Sequence, residues 1–120
     1  MHPKTLARRL ADLTLEKKAS DVKIFDLRRI TNVADFFVVC SAESDVQVKA
    51  ISNHLIETMS DEDMKPWHVE GLQQRQWVLL DFVDVVVHIF LPEVRDFYGL
   101  ERLWGDAEIE EIVDVPPAKN

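Results

Sequence analysis

Two strongly apolar segments, residues 77–82 and 85–91, constrain the fold of this chain more than any other feature. Both are rich in the β-branched and aromatic residues that favour strands, and each is short enough to be one strand. Only Val83 and Asp84 separate them. A two-residue connection between two such segments is typical of an antiparallel hairpin. The sequence therefore predicts a β-hairpin in the second half of the chain.

The two-residue turn determines which residues face each other across this hairpin. Phe82 then pairs with Val85, and Trp77 pairs with Phe90. Because side chains alternate between the faces of a strand, the hairpin has two faces of different composition. The first face is purely apolar and predicts a core-facing surface made of Val78, Leu80, Phe82, Val85, Val87 and Ile89. The second face is mixed and consists of Trp77, Leu79, Asp81, Val86, His88 and Phe90.

The mixed face has two interpretations, which the sequence leaves open. An apolar patch with a few polar points is typical of a protein-binding surface, and tryptophan is strongly enriched among interface hot spots. Alternatively, a helix covers this face, and Asp81 and His88 form a buried pair that satisfies both side chains.

The remaining periodicity predicts an α/β fold with the element order α-β-β-α-β-β-β-α. We expect a single domain over residues 1–105, with a mixed five-stranded β-sheet and helices mainly on one face. Residues 106–120 are expected to form an acidic, flexible C-terminal tail. The predicted helices lie at 3–19, 44–60 and 92–103, and the strands outside the hairpin lie at 22–27, 35–40 and 67–70.

The charge balance restricts the class of partner. With 22 acidic and 14 basic residues, the chain carries a formal net charge of -8 at neutral pH. Phosphate recognition depends on clustered lysine and arginine, so nucleic acid is not expected as the main partner, and a basic protein fits better. No apolar run approaches the roughly 20 residues of a membrane-spanning helix. Since no export signal is recognisable either, we expect a cytoplasmic protein.

Catalytic and metal-binding chemistry finds little support in the residue spacing. The histidine–glutamate pairs of the chain lack the closing ligands of zinc motifs. Cys40, the only cysteine, ends an apolar strand, where an inert buried thiol is the ordinary case. Residues 40–44 lie between a strand and a helix, as a phosphate-binding loop would, but they contain no glycine to let backbone amides approach a phosphate. The sequence therefore predicts no cofactor, no metal and no enzymatic activity.

Four motifs follow one another along the second half of the chain. They are Glu70-Gly71, Trp77-Val78-Leu79-Leu80-Asp81, Asp84-Val85-Val86-Val87-His88 and Phe97-Tyr98-x-Leu100-Glu101-x-Leu103-Trp104. In this combination they resemble the ribosomal silencing factor family, RsfS, also called iojap. The resemblance covers about residues 6–105. Ala42 and Val83 depart from the family pattern, which usually has glycine there, and a valine at positive φ would be strained.

The resemblance implies a nucleotidyltransferase-like fold that has lost catalysis. It also implies binding to the large ribosomal subunit through its protein number fourteen, on the face where the small subunit docks. A bound factor would sterically block subunit joining and repress translation under nutrient limitation, and the free protein would be a homodimer. Two alternatives stay open: a factor for large-subunit assembly or maturation, and a surviving nucleotidyltransferase.

The resemblance further implies a set of residues that contact the ribosomal protein. The implied contact patch consists of Trp77, Leu79, His88 and Phe90. The implied acidic contacts are Glu70, Asp81 and Glu101, and Tyr98 is a further candidate. A structural role is the alternative for three of them: Tyr98 in sealing the core, His88 as a buried side chain, and Asp81 in capping or internal pairing.

Overall fold

The computed structural model describes residues 1–113, in which six strands form one sheet with helices on both faces. The strand order is β3-β4-β5-β2-β1-β6. Only the central pair, β2 with β5, is parallel, so the sheet is mixed as predicted. In chain order the elements are α1 (Pro3–Glu16), β1 (Ser20–Asp26), β2 (Phe36–Ser41), α2 (Asp45–Asp61), β3 (His68–Glu70), β4 (Trp77–Asp81), β5 (Val85–Phe90), α3 (Pro92–Tyr98), α4 (Leu100–Leu103) and β6 (Glu108–Ile112).

The predicted count of five strands is wrong, because β6 adds a sixth at the edge of the sheet. This strand lies within residues 106–120, which were predicted to be a tail, and it pairs antiparallel with β1. Its sequence, Glu-Ile-Glu-Glu-Ile, is too acidic to suggest a strand, but an edge strand tolerates charged side chains and needs little apolar surface. Ile112 supplies that surface, since it is 4% exposed and packs into the core. The predicted tail beyond residue 113 lies outside the described residues.

The predicted hairpin register is confirmed. Trp77 pairs with Phe90 and Asp81 with Val86, and the Phe82 amide donates to the Val85 carbonyl at 2.8 Å. All six residues of the apolar face are buried, and they pack in one cluster with α1 and α2. The apolar face of the hairpin is therefore the centre of the main core.

A second, smaller cluster lies on the opposite face of the sheet, beneath α3 and α4. Its largest members are Phe25, Phe37 and Phe90, and Leu100 covers them from α4. Helices are thus mainly on one face, as predicted, but the two short helices cover the middle of the mixed face. The outer part, along β4 and β3, is left partly open.

The predicted closing helix over 92–103 is instead two short helices. Gly99 separates them and adopts a left-handed conformation with φ 61°. That conformation suits glycine and ends a helix. The apolar spacing of residues 94, 97, 100 and 103, which predicted one continuous helix, is therefore interrupted at Gly99. No helix in the described part of the chain combines the length and apolar character needed to cross a membrane.

The hairpin turn holds Val83 in a strained conformation. Its φ is 76°, and the Asp84 amide donates to the Phe82 carbonyl at 3.0 Å, which closes a three-residue γ-turn. This γ-turn form is rare for a non-glycine residue, and β-branched side chains are least suited to it. The side chain of Asp81 supports the turn, because its Oδ1 accepts from the Val83 amide at 2.7 Å.

Replacing Val83 with glycine should therefore stabilise the fold. Relief of backbone strain, worth 1–3 kcal/mol, outweighs the added freedom of the unfolded chain, for a net gain of about 1 kcal/mol. Urea denaturation should show a higher midpoint at an unchanged slope. Val33→Gly is the matched control, because Val33 is equally exposed but lies outside the positive-φ region. A lower midpoint for Val83→Gly would show that the turn is not strained.

Candidate protein-binding surface

An exposed apolar surface lies where β4 meets the end of α3. We call it the aromatic patch and define it as Trp77, Leu79, Phe97 and Tyr98. Trp77 and Leu79 are half-buried on β4, whereas Phe97 and Tyr98 are 79% and 52% exposed. The Tyr98 ring lies 4.6 Å from the Trp77 ring, and Phe97 packs edge-on against Tyr98 at 5.2 Å. The three rings therefore form one apolar surface, and Leu79 extends it along β4 from the position two residues after Trp77 on the same strand face.

Two buried side chains hold Trp77 in place from below. Phe90 stacks on the indole with a centroid distance of 4.9 Å. The Nδ1 atom of His88 accepts a hydrogen bond from Trp77 Nε1 at 3.1 Å. Because the indole has a single N–H group, this bond leaves Trp77 with only its apolar surface to offer a partner.

His88 and Phe90 are therefore supports of the patch in this structure and not part of its outer surface. Phe90 is fully buried and His88 is 4% exposed. Burial lowers the pKa of His88 to about 3, so the imidazole is neutral near pH 7. Since Nδ1 accepts, the proton is on Nε2, an atom that is buried without a hydrogen-bond partner among the described residues.

Asp81 and His88 share the mixed face but do not pair with each other in the described residues. Asp81 caps the hairpin turn, and His88 bonds to Trp77. Asp81 is still half-exposed next to the patch. Its carboxylate therefore has one oxygen engaged in the turn and can present the other to a partner.

The other two acids predicted as contacts occupy different settings. Glu70 is exposed on the edge strand β3, opposite Leu79 in the sheet register, and lies 3.0 Å from Nε2 of His68. Glu101 is one-third exposed and lies 3.1 Å from Nε of Arg95 and 3.6 Å from Nζ of Lys23. Glu70 is thus an acid at the rim of the patch, whereas Glu101 belongs to a partly buried ionic network around Arg95.

Phe97 is the patch residue that the sequence analysis did not identify. Its spacing from Val94 and Leu100 indicated the inner side of a continuous helix. The break at Gly99 removes that continuity, and Phe97 faces solvent. The glycine was the available signal, because a left-handed residue between two short helices reorients the segments on either side.

Two kinds of reactive site are relevant among the described residues, a cysteine nucleophile and a cluster of metal ligands. Burial raises the pKa of the Cys40 thiol to about 12, so it is protonated and inert near pH 7. Among residues 1–113, no three histidine, cysteine or carboxylate side chains lie together as metal ligands would. The aromatic patch is therefore the strongest candidate site on the described surface.

Comparison with known proteins extends over nearly the whole chain. Residues 1–120 match the family described as "Ribosomal silencing factor during starvation". The ribosomal silencing factor RsfS of Bacillus subtilis is 36% identical over 112 residues, which cover 93% of this chain and 95% of that protein. A mouse protein named mitochondrial assembly of ribosomal large subunit protein 1 is 30% identical over 101 residues, covering 79% of this chain and 43% of its own. A crystal structure of a Chromobacterium violaceum protein superposes with a TM-score of 0.85 at 30% identity, covering 95% of both chains.

Proposed function

The chain belongs to the ribosomal silencing factor family, and we propose that it binds the large ribosomal subunit through the aromatic patch and sterically blocks joining of the small subunit. Translation would be repressed in this way under nutrient limitation. The proposed contact is the large-subunit protein number fourteen, as the family resemblance implies. The aromatic patch is the observation that carries the proposal.

The composition of the patch supports a protein partner. Trp77 and Tyr98 are residue types enriched at binding hot spots, and Leu79 and Phe97 extend the apolar area around them. Trp77 is held by Phe90 and His88, so its position is fixed before a partner arrives. A preformed aromatic anchor loses little conformational entropy on binding.

Acidic side chains at the rim support a basic partner. Glu70 and Asp81 lie on the same face as Leu79 and Trp77, and the whole chain carries a net charge of -8. Complementary charge at a rim mainly speeds encounter and orients the partner, whereas buried apolar contacts supply most of the affinity. A basic ribosomal protein meets both requirements.

We further propose that the protein acts by binding and not by catalysis, in the cytoplasm, and that it is a homodimer when free. The loop over residues 41–44 contains no glycine for phosphate approach. The exposed aromatic patch would be shielded from water in a dimer. Analytical ultracentrifugation of the free chain, with and without Phe97→Ser, tests the dimer and the part that the patch plays in it.

Co-sedimentation with ribosomal subunits tests the proposed function. The purified chain should pellet with free large subunits, but not with free small subunits or with joined ribosomes. Adding it in excess to separated subunits should lower the fraction that joins. Equal binding to joined ribosomes would contradict a steric block at the subunit interface, and no binding to large subunits would overturn the proposal.

A role in large-subunit assembly is the second candidate, and the name of the mouse relative favours it. Both functions would use the same contact with the large subunit. Depletion of the protein separates them. If the protein is an assembly factor, its depletion should leave incomplete large subunits during normal growth. If it is a silencing factor, depletion should leave complete large subunits that join small subunits too readily during starvation.

A further inference from the structure

One arginine of α3, Arg95, has an almost completely buried side chain. We call α3 and α4 together the closing segment (residues 92–103). The side chain of Arg95 is 4% exposed. Its Nη1 donates to the Asp21 carbonyl at 2.8 Å and to Ser41 Oγ at 2.9 Å, and its Nε donates to Glu101 Oε1 at 3.1 Å. Arg95 therefore joins the closing segment to both β1 and β2.

Two acids and two bases form a closed ring around this contact. Arg95 Nη2 lies 3.5 Å from Asp21 Oδ2, and Lys23 Nζ lies 3.7 Å from Asp21 Oδ1 and 3.6 Å from Glu101 Oε2. The ring is neutral, and Nη1 and Nε of the guanidinium are hydrogen-bonded, so the buried charge of Arg95 is paired at two of its three nitrogens. An irregularity of β1 brings Asp21 into this ring. The pairing register of β1 with β2 shifts between Ser20 and Lys23, and φ of Asp21 is 51°.

The closing segment depends on such an anchor because its own helices are short. α3 has seven residues and α4 has four, and neither has a side-chain hydrogen bond at its N-terminus. Helices of this length are not stable without tertiary contacts. Their buried residues are Arg95 in α3 and Leu100 in α4. Arg95 is thus the one fully buried side chain of α3, and Val94 adds a partly buried apolar contact with the second cluster.

The position of α3 in turn determines the position of half of the aromatic patch. Phe97 and Tyr98 lie on α3, two and three residues after Arg95. Trp77 and Leu79 lie on β4, a strand of the sheet, and not on the closing segment. The patch is continuous only while α3 holds the Tyr98 ring beside Trp77.

We propose that Arg95 is a positioning residue for ribosome binding: it locks the closing segment so that Phe97 and Tyr98 complete the patch with Trp77. This inference rests on the proposed function of the patch. Glu101 then acts on the same lock, as the acid that holds Arg95 and Lys23, and not as a contact with the partner.

The test compares Arg95→Met with Arg102→Met. Both substitutions remove one positive charge from the closing segment, but Arg102 is exposed and makes no salt bridge in the described residues. Each variant is measured for affinity to Bacillus subtilis large ribosomal subunits and for amide hydrogen exchange. Arg95→Met should bind at least tenfold more weakly and exchange faster over residues 93–103, while exchange in β2 and β5 stays slow. Arg102→Met should match the unmodified chain in both.

Glu101→Gln provides a second variant, which does not depend on Arg95→Met remaining folded. It should weaken binding about threefold and speed exchange over residues 93–103. Weaker binding without faster exchange would identify Glu101 as a direct contact and overturn the lock. Unchanged binding of Arg95→Met despite faster exchange would overturn it as well. If the unmodified chain fails to bind large subunits, the proposed function fails, while the exchange data alone still decide whether Arg95 holds the segment.

Discussion

Replacing Trp77 with alanine should weaken binding to large ribosomal subunits by about 100-fold, the effect of losing a central aromatic hot spot of roughly 3 kcal/mol. Trp77 contacts both the buried support of the patch and its α3 half, since its ring lies 4.9 Å from Phe90 below and 4.6 Å from Tyr98 beside it. Its removal leaves a gap between β4 and α3. The measurement is a titration of labelled protein with purified large subunits.

Trp67→Ala is the matched control for this substitution. Trp67 is more exposed than Trp77, at 77%, and it precedes β3, where His68 and Glu70 occupy the face shared with the patch. Alternation places Trp67 off that face. Its replacement should change the affinity less than twofold. Equal losses for both variants would show that general apolar surface, and not the patch, governs binding.

A stability measurement completes the comparison, because Trp77 also contributes to the fold. Urea denaturation of Trp77→Ala should still show one cooperative transition, since the main core lies on the other face of the sheet. Trp77→Phe should keep the stacking on Phe90 while losing the bond to His88, so its affinity should lie between those of the unmodified chain and of Trp77→Ala. Full binding by Trp77→Ala would remove the patch from the proposed function.

The hairpin could be predicted from the sequence because the features that determine it lie close together in the chain. Residues 77–91 contain the strand propensity, the turn length and the alternation that together set the register, and each of these depends on neighbours in the chain. The same alternation predicted the apolar core face. It could not decide between an open and a covered mixed face, because the cover comes from Leu100, which lies outside the hairpin and whose position depends on tertiary packing.

The parts that the sequence did not predict depend on partners far apart in the chain. Strand β6 has little propensity of its own and exists through pairing with β1, more than 80 residues earlier. By its sequence Arg95 is an ordinary charged residue of a helix, and only its contacts with Asp21 and Ser41, more than 50 residues away in the chain, distinguish it. The alternation of β5 predicts the face of His88, whereas its burial beneath Trp77 depends on packing against Phe37 and Trp77. Faces follow from periodicity, but burial depends on tertiary packing.

The buried His88 predicts that acid destabilises this protein well before its carboxylates are neutralised. In the fold its pKa is about 3, whereas an unfolded chain has the ordinary value of 6.5. Below pH 6.5 the unfolded state therefore takes up a proton that the folded state does not, so this contribution to stability is complete above pH 6.5 and is lost as the pH falls toward 3. Between pH 6 and pH 4 the loss should be about 2 kcal/mol.

The measurement is urea denaturation at several pH values for the unmodified chain and for His88→Asn, whose side-chain oxygen can replace Nδ1 as the acceptor for Trp77. The asparagine variant should be less stable near pH 7, because it packs less well, yet lose about 2 kcal/mol less between pH 6 and pH 4. His54→Asn is the control for the loss of one imidazole, since His54 lies on α2 with its Nε2 2.9 Å from Glu16 Oε1 and is not part of the buried face beneath Trp77. Carboxylates such as Asp26, whose pKa Arg28 lowers, are common to all three chains and cancel in the difference. Parallel pH profiles for the unmodified chain and His88→Asn would mean that the imidazole accepts a proton within the fold, and hence that Trp77 is not held by a permanently neutral partner.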